Sequence, residues 1–178
     1  GQVEAITTNE TGSTIIVTTY PNSTTTEAIL CSNDGTTWTA VGGTNQNWHH
    51  YGATWDGMRF IVKTDNSANS IRISYDGITW LNQGGNVSGK QIVWTKPHVG
   101  ALTIYQPTIV CGRDNSGNNT MAFSKDGVFY RSLGNGIFDQ QAKHVAWNGK
   151  MWIGCGKGTN NTLGYSMDGQ TWIGLGKT

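Results

Sequence analysis

Four octets decide how this chain folds: CSNDGTTW from Cys31 to Trp38, ISYDGITW from Ile73 to Trp80, FSKDGVFY from Phe123 to Tyr130, and YSMDGQTW from Tyr165 to Trp172. Their Asp-Gly pairs begin at Asp34, Asp76, Asp126 and Asp168, so successive spacings are 42, 50 and 42 residues. A regular period broken by one insertion marks a repeat architecture. The insertion falls in the third copy, around KPHVGALTIYQP from Lys96 to Pro107. The flanks repeat too, since GATWDGMRFIV from Gly52 to Val62 matches HVAWNGKMWIG from His144 to Gly154. Each copy therefore holds two tight-turn signals, and Asp-Gly and Asn-Gly suit type I′ hairpins, whose two central residues both need φ > 0. Polar stretches between them, NSAN from Asn66 to Asn69, NSGNN from Asn115 to Asn119 and GTNN from Gly158 to Asn161, read as the middle loop of each copy. Four strands per copy follow.

The third strand shows its pleat when the copies are aligned. Ile29, Ile71, Met121 and Leu163 share one apolar column, and Cys31, Ile73, Phe123 and Tyr165 share the next on the same face. Ser32, Ser74, Ser124 and Ser166 point the other way, with the aspartates. Each Asp can accept hydrogen bonds from the backbone of its turn and from the Ser, holding the hairpin closed. Gly35, Gly77, Gly127 and Gly169 supply the turn, and Trp38, Trp80, Tyr130 and Trp172 supply bulk that fastens each hairpin to its sheet. The expected fold is all-β: four repeats of a four-stranded antiparallel sheet in a single domain over residues 1–178, with units near 3–42, 49–85, 90–135 and 142–178.

Composition agrees with short strands and tight turns. Charged residues are 13% of the 178, about half the usual share of soluble domains, and there are 25 glycines. No apolar run approaches the ~20 residues of a membrane-spanning helix, so membrane insertion is not expected. A net charge of +1, with Lys and Arg scattered singly, leaves no footprint for nucleic acid. Cys31, Cys111 and Cys155 lack metal-site or C-x-x-C spacing and read as buried free thiols. No cofactor or metal is implied.

The octets resemble the Asp-box, or bacterial neuraminidase repeat, which marks sialidase-like β-propellers and many propellers that are not sialidases. They depart from its S-x-D-x-G-x-T-W form by lacking the residue between Asp and Gly, and Phe129-Tyr130 replaces Thr-Trp in the third copy. The longer A-W-N-G…Y-S-x-D-G-x-T-W arrangement is similar to repeat proteins of phages and large DNA viruses, often attached to virion surfaces. The resemblance covers nearly the whole chain. It implies propeller blades, as a four-bladed ring or part of a larger one, and a place outside cells or on a virion surface.

Enzymatic chemistry is not expected. The sialidase family needs an arginine triad, a Tyr-Glu nucleophile pair and an acid/base Asp. Here Glu4, Glu10 and Glu27, all before the second octet, are the only glutamates, and Arg59, Arg72, Arg113 and Arg131 occupy different repeat positions. The box aspartates repeat with the turns, whereas a hydrolase needs two unlike carboxyls. Gly154–Gly158 and Gly176–Thr178 lack phosphate-loop spacing, with Thr171 where the second would need glycine. His49 and His50 are adjacent, so in an extended segment they point apart rather than toward one metal.

Aromatic rings beside amides suit sugars, and the densest such cluster is NQNWHHY from Asn45 to Tyr51, making Trp48, His49 and Tyr51 candidate ligand contacts. Trp48 falls near the position of Phe138 in the fourth copy, where packing between blades is the competing role. Trp55, Trp94 and Trp147 are read as one repeat column, more often core than site. The expected function is a binding or assembly module on an exposed surface, recognising glycans or surface proteins multivalently, as a homo-oligomer or part of a longer array. A purely structural virion or filament subunit is the alternative, and a sialidase-like hydrolase a third.

Replacing Asp76 or Asp168 with Ala is expected to destabilise the fold by roughly 0.5–2 kcal/mol through lost turn hydrogen bonds. Thermal melting checks this; full stability with loss of an activity would give the box a functional rather than structural role.

Overall fold

The computed structural model describes residues 2–20, 29–42, 49–64, 71–83, 93–95, 107–113 and 116–177, with backbone only at 93–95. Trp48, Glu27, Asn66–Asn69 and the inserted residues 96–106 lie outside the described residues. The described chain forms sixteen strands in four separate antiparallel sheets, each a simple meander made by one repeat. The first sheet holds β1 (Gln2–Thr8), β2 (Ile15–Tyr20), β3 (Ile29–Ser32) and β4 (Thr39–Val41). The second holds β5 (His50–Trp55), β6 (Phe60–Thr64), β7 (Ile71–Ser74) and β8 (Leu81–Gln83). The third is β9 (Val93–Thr95), β10 (Thr108–Cys111), β11 (Met121–Ser124) and β12 (Arg131–Ser132). The fourth is β13 (Gln141–Trp147), β14 (Trp152–Lys157), β15 (Leu163–Ser166) and β16 (Ile173–Gly174).

The sheets meet through their first strands. β1 and β2 contact β5, β5 and β6 contact β9, and β9 and β10 contact β13. Among the described residues no contact of that extent joins β13 back to β1. A register shift interrupts β1, β5 and β13 near their starts, between Val3 and Ala5, His50 and Gly52, and Ala142 and His144. Such bulges bend a strand and increase its twist.

Three apolar clusters fill the three junctions. Ile16, Ile29 and Cys31 of the first sheet meet Phe60 and Val62 of the second. Ile61, Ile71 and Ile73 of the second meet Val110 and Ala122 of the third. Ile109, Cys111, Met121 and Phe123 of the third meet Ala142, Val145 and Trp152 of the fourth, together with Phe138 from the connecting segment. The two apolar columns read from the sequence are thus the face that each sheet turns to the next. In the fourth copy Leu163 and Tyr165 are only half-buried, and among the described residues no sheet packs against them. Cys155, expected to be buried, is exposed on that same face, while Cys31 and Cys111 are buried free thiols.

The turns correct a second expectation. In the octets, Cys31 pairs with Thr39 and Ile73 with Leu81, so the loop is longer than a two-residue type I′ turn. In the other hairpin, the Asp56 N–H donates to the Arg59 carbonyl at 3.1 Å, which makes Asp56 a closing residue and Gly57, with φ +94°, the first central one. Asn148 closes on Met151 in the same way at 3.1 Å. Here the Asp or Asn side chain outcompetes the type I′ backbone geometry: its Oδ1 accepts the N–H groups two and three residues ahead, at 2.9 and 2.7 Å for Asp56.

The octet glycines are required twice over. Their φ values of 67° to 78° lie in the left-handed region, and three of them also press on the preceding sheet. A Cβ at Gly77 would come within 2.9 Å of Thr14 and 3.1 Å of Ile16, and one at Gly169 within 3.0 Å of Phe123. Gly35 meets only Ile15 of its own sheet, at 3.7 Å. Gly35→Ala is therefore expected to cost about 1–2 kcal/mol from backbone strain alone, and Gly77→Ala about 1–3 kcal/mol more from overpacking. Urea unfolding of the two variants measures the difference, and equal losses would mean that the glycine does not seat the loop on its neighbour.

Candidate functional site

The octet loops are built alike around a serine hydroxyl and a carboxylate. Ser32 Oγ donates to Asp34 Oδ1 at 3.1 Å and accepts the Gly35 N–H at 2.9 Å. Asp34 Oδ1 also accepts the N–H groups of Thr36 and Thr37 at 2.8 and 2.7 Å. The pattern recurs at Asp76 with Ile78 and Thr79, at Asp126 with Val128 and Phe129, and at Asp168 with Gln170 and Thr171. Ser74, Ser124 and Ser166 each donate to their aspartate at 3.0 Å. All four serines are buried.

This cage holds the carboxylates in their charged form. The Thr79 N–H, helped by those of Ile78 and the Ser74 hydroxyl, lowers the Asp76 pKa to about 2. The N–H groups of Thr171 and Gln170 do the same for Asp168, also to about 2. Those of Thr37 and Thr36 lower Asp34. At Asp126 burial works upward, but the Phe129 and Val128 N–H groups outweigh it and the pKa is again lowered. Acceptors held this way are poor proton donors near neutral pH.

The terminal aromatics do more than close their own loops. The Trp80 and Trp172 indole N–H groups donate to the Gly77 and Gly169 carbonyls at 3.3 and 3.1 Å. Trp80, Tyr130 and Trp172 also pack into the cluster shared with the preceding sheet. Trp38, whose ring was expected to fasten its hairpin to its sheet, is exposed and joins none of the three clusters among the described residues.

Neighbouring loops leave open grooves between them. One of about 360 Å³ between the first and second sheets is lined by Asn33, Asp34, Thr37, Thr39 and Ile78. Another of about 460 Å³ between the third and fourth is lined by Pro107, Phe123, Lys125, Asp126, Asp168 and Gln170. Arg131 Nη2 donates to Gln170 Oε1 at 2.8 Å across this second junction. Each groove combines amide, hydroxyl or charged groups with an apolar wall.

The aromatic cluster read from the sequence forms in part. The His49 ring lies 3.7 Å from that of Tyr20 and 5.8 Å from that of Tyr51, with His49 Nδ1 and Tyr51 Oη 2.9 Å apart. Tyr51 is buried and His49 half-buried, so Tyr51 braces His49 and offers little ring face to a ligand. His50 is fully buried. Trp55 and Trp147 are half-buried and pack against the core clusters, stacking at a tilt on Phe60 at 4.7 Å and Trp152 at 5.3 Å. The backbone register pairs Trp94 with Ile109 and Thr95 with Thr108, which puts Trp94 one residue out of the column assigned to it.

Two arginines have roles that the sequence did not announce. Arg59 Nε donates to Asp56 Oδ2 at 2.8 Å, and its Nη2 reaches the Asp126 carbonyl of the next sheet. Arg72 Nη2 donates to the Gly42 carbonyl of the preceding sheet at 2.8 Å, with its guanidinium 6.0 Å from the Trp80 ring centroid. Both are buried in junctions. The only sequence hint is Arg59 directly after the Asp56-Gly57 turn. Among the described residues no three His, Cys, Asp or Glu side chains come together as metal ligands.

No protein-family model and no curated protein matches the sequence. Solved structures do. A chain of a nidogen/laminin complex superposes with a TM-score of 0.66 at 15% identity, over 97% of this chain and 62% of that one. YCF48 bound to a D1 peptide gives 0.60 at 10% identity, over 97% and 54%. The GH74 xyloglucanase from Xanthomonas campestris gives 0.60 at 15% identity, over 96% and 24%. The fold is a β-propeller type, with each sheet a blade. The chain spans less than two thirds of the length of each of these three.

With folded-state pKa values near 2 for Asp76 and Asp168, against about 3.9 for a free Asp, the loop carboxylates stabilise the fold above pH ~4 and lose that contribution as pH falls toward 2. Melting temperature should be level above that window and drop within it, less steeply in an Asp76→Asn variant. A flat profile from pH 4 to 2 would contradict the cage.

Proposed function

We propose that this chain is a non-enzymatic recognition module on an exposed surface, outside cells or on a virion. It binds glycans, or the polar surface of a partner protein, through the grooves between neighbouring octet loops. The hydrogen-bond pattern supports reading those loops as Asp-boxes shortened by one residue. The observation that carries the functional reading is the groove itself: it is open, it recurs at equivalent places between blades, and its floor is a cage that fixes the height of the side chains around it. Asp126 and Asp168 line one groove, yet both are held as carboxylates, which favours recognition over two-carboxylate hydrolysis. The fold alone does not choose, since the similar structures include a xyloglucanase and a protein bound to a peptide. The half-buried His49, with Trp48 beside it in sequence, is a second candidate contact.

Open grooves bury little of a ligand, so each site is weak and multiplicity supplies the strength, with gains of about 10²–10⁴ from linked sites. Lys125→Ala and Gln170→Ala should weaken capture on an immobilised glycan array without lowering the melting temperature, while free oligosaccharides bind weakly by calorimetry. Silence across a broad array would remove the glycan reading, and tight one-to-one binding of a small molecule would remove the multivalent one.

A further inference from the structure

The four octet loops share one scaffold, so a position where one loop leaves the repeat shows what that loop carries beyond holding itself closed. In the first, second and fourth blades the residue before the box aromatic is Thr37, Thr79 or Thr171. Its hydroxyl adds a bond to the caged carboxylate: Thr171 Oγ1 donates to Asp168 Oδ2 at 3.1 Å, and the Thr37 and Thr79 hydroxyls bond Asp34 and Asp76. The third blade has Phe129 there. The exchange gives up the hydroxyl bond and leaves a phenyl ring 80% exposed, the most of any large apolar side chain among the described residues. Neither change helps the loop itself, and a local rule broken without structural gain marks a functional position. Two cations enter the same loop. Lys125 stands where the other copies have Asn33, Tyr75 and Met167, and Arg131 where they have Thr39, Leu81 and Ile173. Both are exposed.

These three departures meet the fourth blade along one groove. Lys125 and Gln170 border the cavity of about 460 Å³ between the third and fourth sheets, and Phe129 and Arg131 join them around another of about 350 Å³. Gln170 also lines a third, of about 390 Å³, with Thr120, Leu133 and Trp172. Because Gln170 is common to all three, the groove is longer than a single pocket. The bond from Arg131 Nη2 to Gln170 Oε1 uses a neutral partner, which leaves the guanidinium charge and its other N–H donors for a ligand. Asp126 and Asp168 border the groove too, but Oδ1 of each is taken up by backbone N–H groups of its own loop. No cation lines the groove between the first and second blades.

We propose that the groove between the third and fourth blades holds an acidic linear polysaccharide. Lys125 and Arg131 meet its carboxylate or sulfate groups, the Phe129 ring lies against the apolar face of a sugar, and the Gln170 amide bonds a hydroxyl. This inference rests on the glycan reading and narrows it to one groove and one charge class. A polymer presents its acid repeatedly, so weak capture at one groove gains from rebinding along the chain.

Retention on immobilised hyaluronan, which carries carboxylates, and on heparin, which adds sulfates, is compared with neutral dextran and with poly-glutamate. At low salt the chain should be held by an acidic polysaccharide more strongly than by dextran or poly-glutamate, and released as salt rises toward about 0.5 M. Binding to hyaluronan assigns the carboxylate, and binding to heparin alone the sulfate. Lys125→Gln and Arg131→Gln should each weaken retention about tenfold. Lys150→Gln, which removes the same charge from an exposed turn that lines none of these cavities, should leave it unchanged. Phe129→Thr should weaken retention while holding or raising the melting temperature, because it restores the threonine bond of the other loops. Lower stability in that variant would make the ring structural, and an equal loss in Lys150→Gln would make the effect one of bulk charge; either overturns the site. Dextran held as well as the acids would overturn the acidic ligand and leave groove binding of glycans standing. Preference for poly-glutamate would replace the sugar with an acidic peptide, and no retention on any polysaccharide would remove both this inference and the glycan reading.

Discussion

A serine hydroxyl that donates to a carboxylate and accepts from a glycine N–H, two and three residues along the same loop, is the contact on which the other features of this molecule rest. It turns a polar, exposed segment into a fixed knob. Because the carboxylate also takes two further backbone N–H groups, the loop needs no partner from elsewhere to satisfy it. The knob then projects a glycine with no side chain and an aromatic ring toward the previous blade. Packing between blades is thereby coupled to the internal hydrogen bonds of a loop a few residues long.

This coupling explains how a chain with few charges places two arginines in its interior. Removing a guanidinium from water is costly unless its donors are met. Arg59 is met by Asp56 on its own turn and by the carbonyl of Asp126, which the next loop's cage holds in place. Arg72 is met by the carbonyl of Gly42, with the Trp80 ring beside it. Each arginine ties one blade to its neighbour, and each relies on a backbone carbonyl whose position is set by a turn. The same rigidity bears on the proposed function: the carboxylates serve as acceptors for the backbone, which in that reading leaves ligand contact to the side chains around them.

Repetition also lets equivalent positions be compared within one molecule. A position that is buried in three blades and open in the fourth is an internal control on what burial requires, and it needs no outside comparison. Ile153, Cys155 and Gly35 stand out in this way alone; none is unusual for its residue type at a surface.

The repeat, the four strands per copy, the apolar columns and the role of Ser and Asp were legible in the residues because each is local: period-two alternation and hydrogen bonds spanning two or three positions are written in consecutive residues. The turn type was not, since Asp-Gly and Asn-Gly fit several loops and the side-chain carbonyl or carboxylate decides among them by capturing N–H groups ahead of it. Nor was the fate of Tyr51, Trp38 or Cys155, because an identical local sequence is core or surface according to whether another sheet lies against it. What the amino-acid order determined by itself was the blade. Which faces are covered, which aromatics pack, and where Arg59 and Arg72 find their acceptors were decided by how one blade stacks on the next, because those contacts join residues some 30 to 67 positions apart.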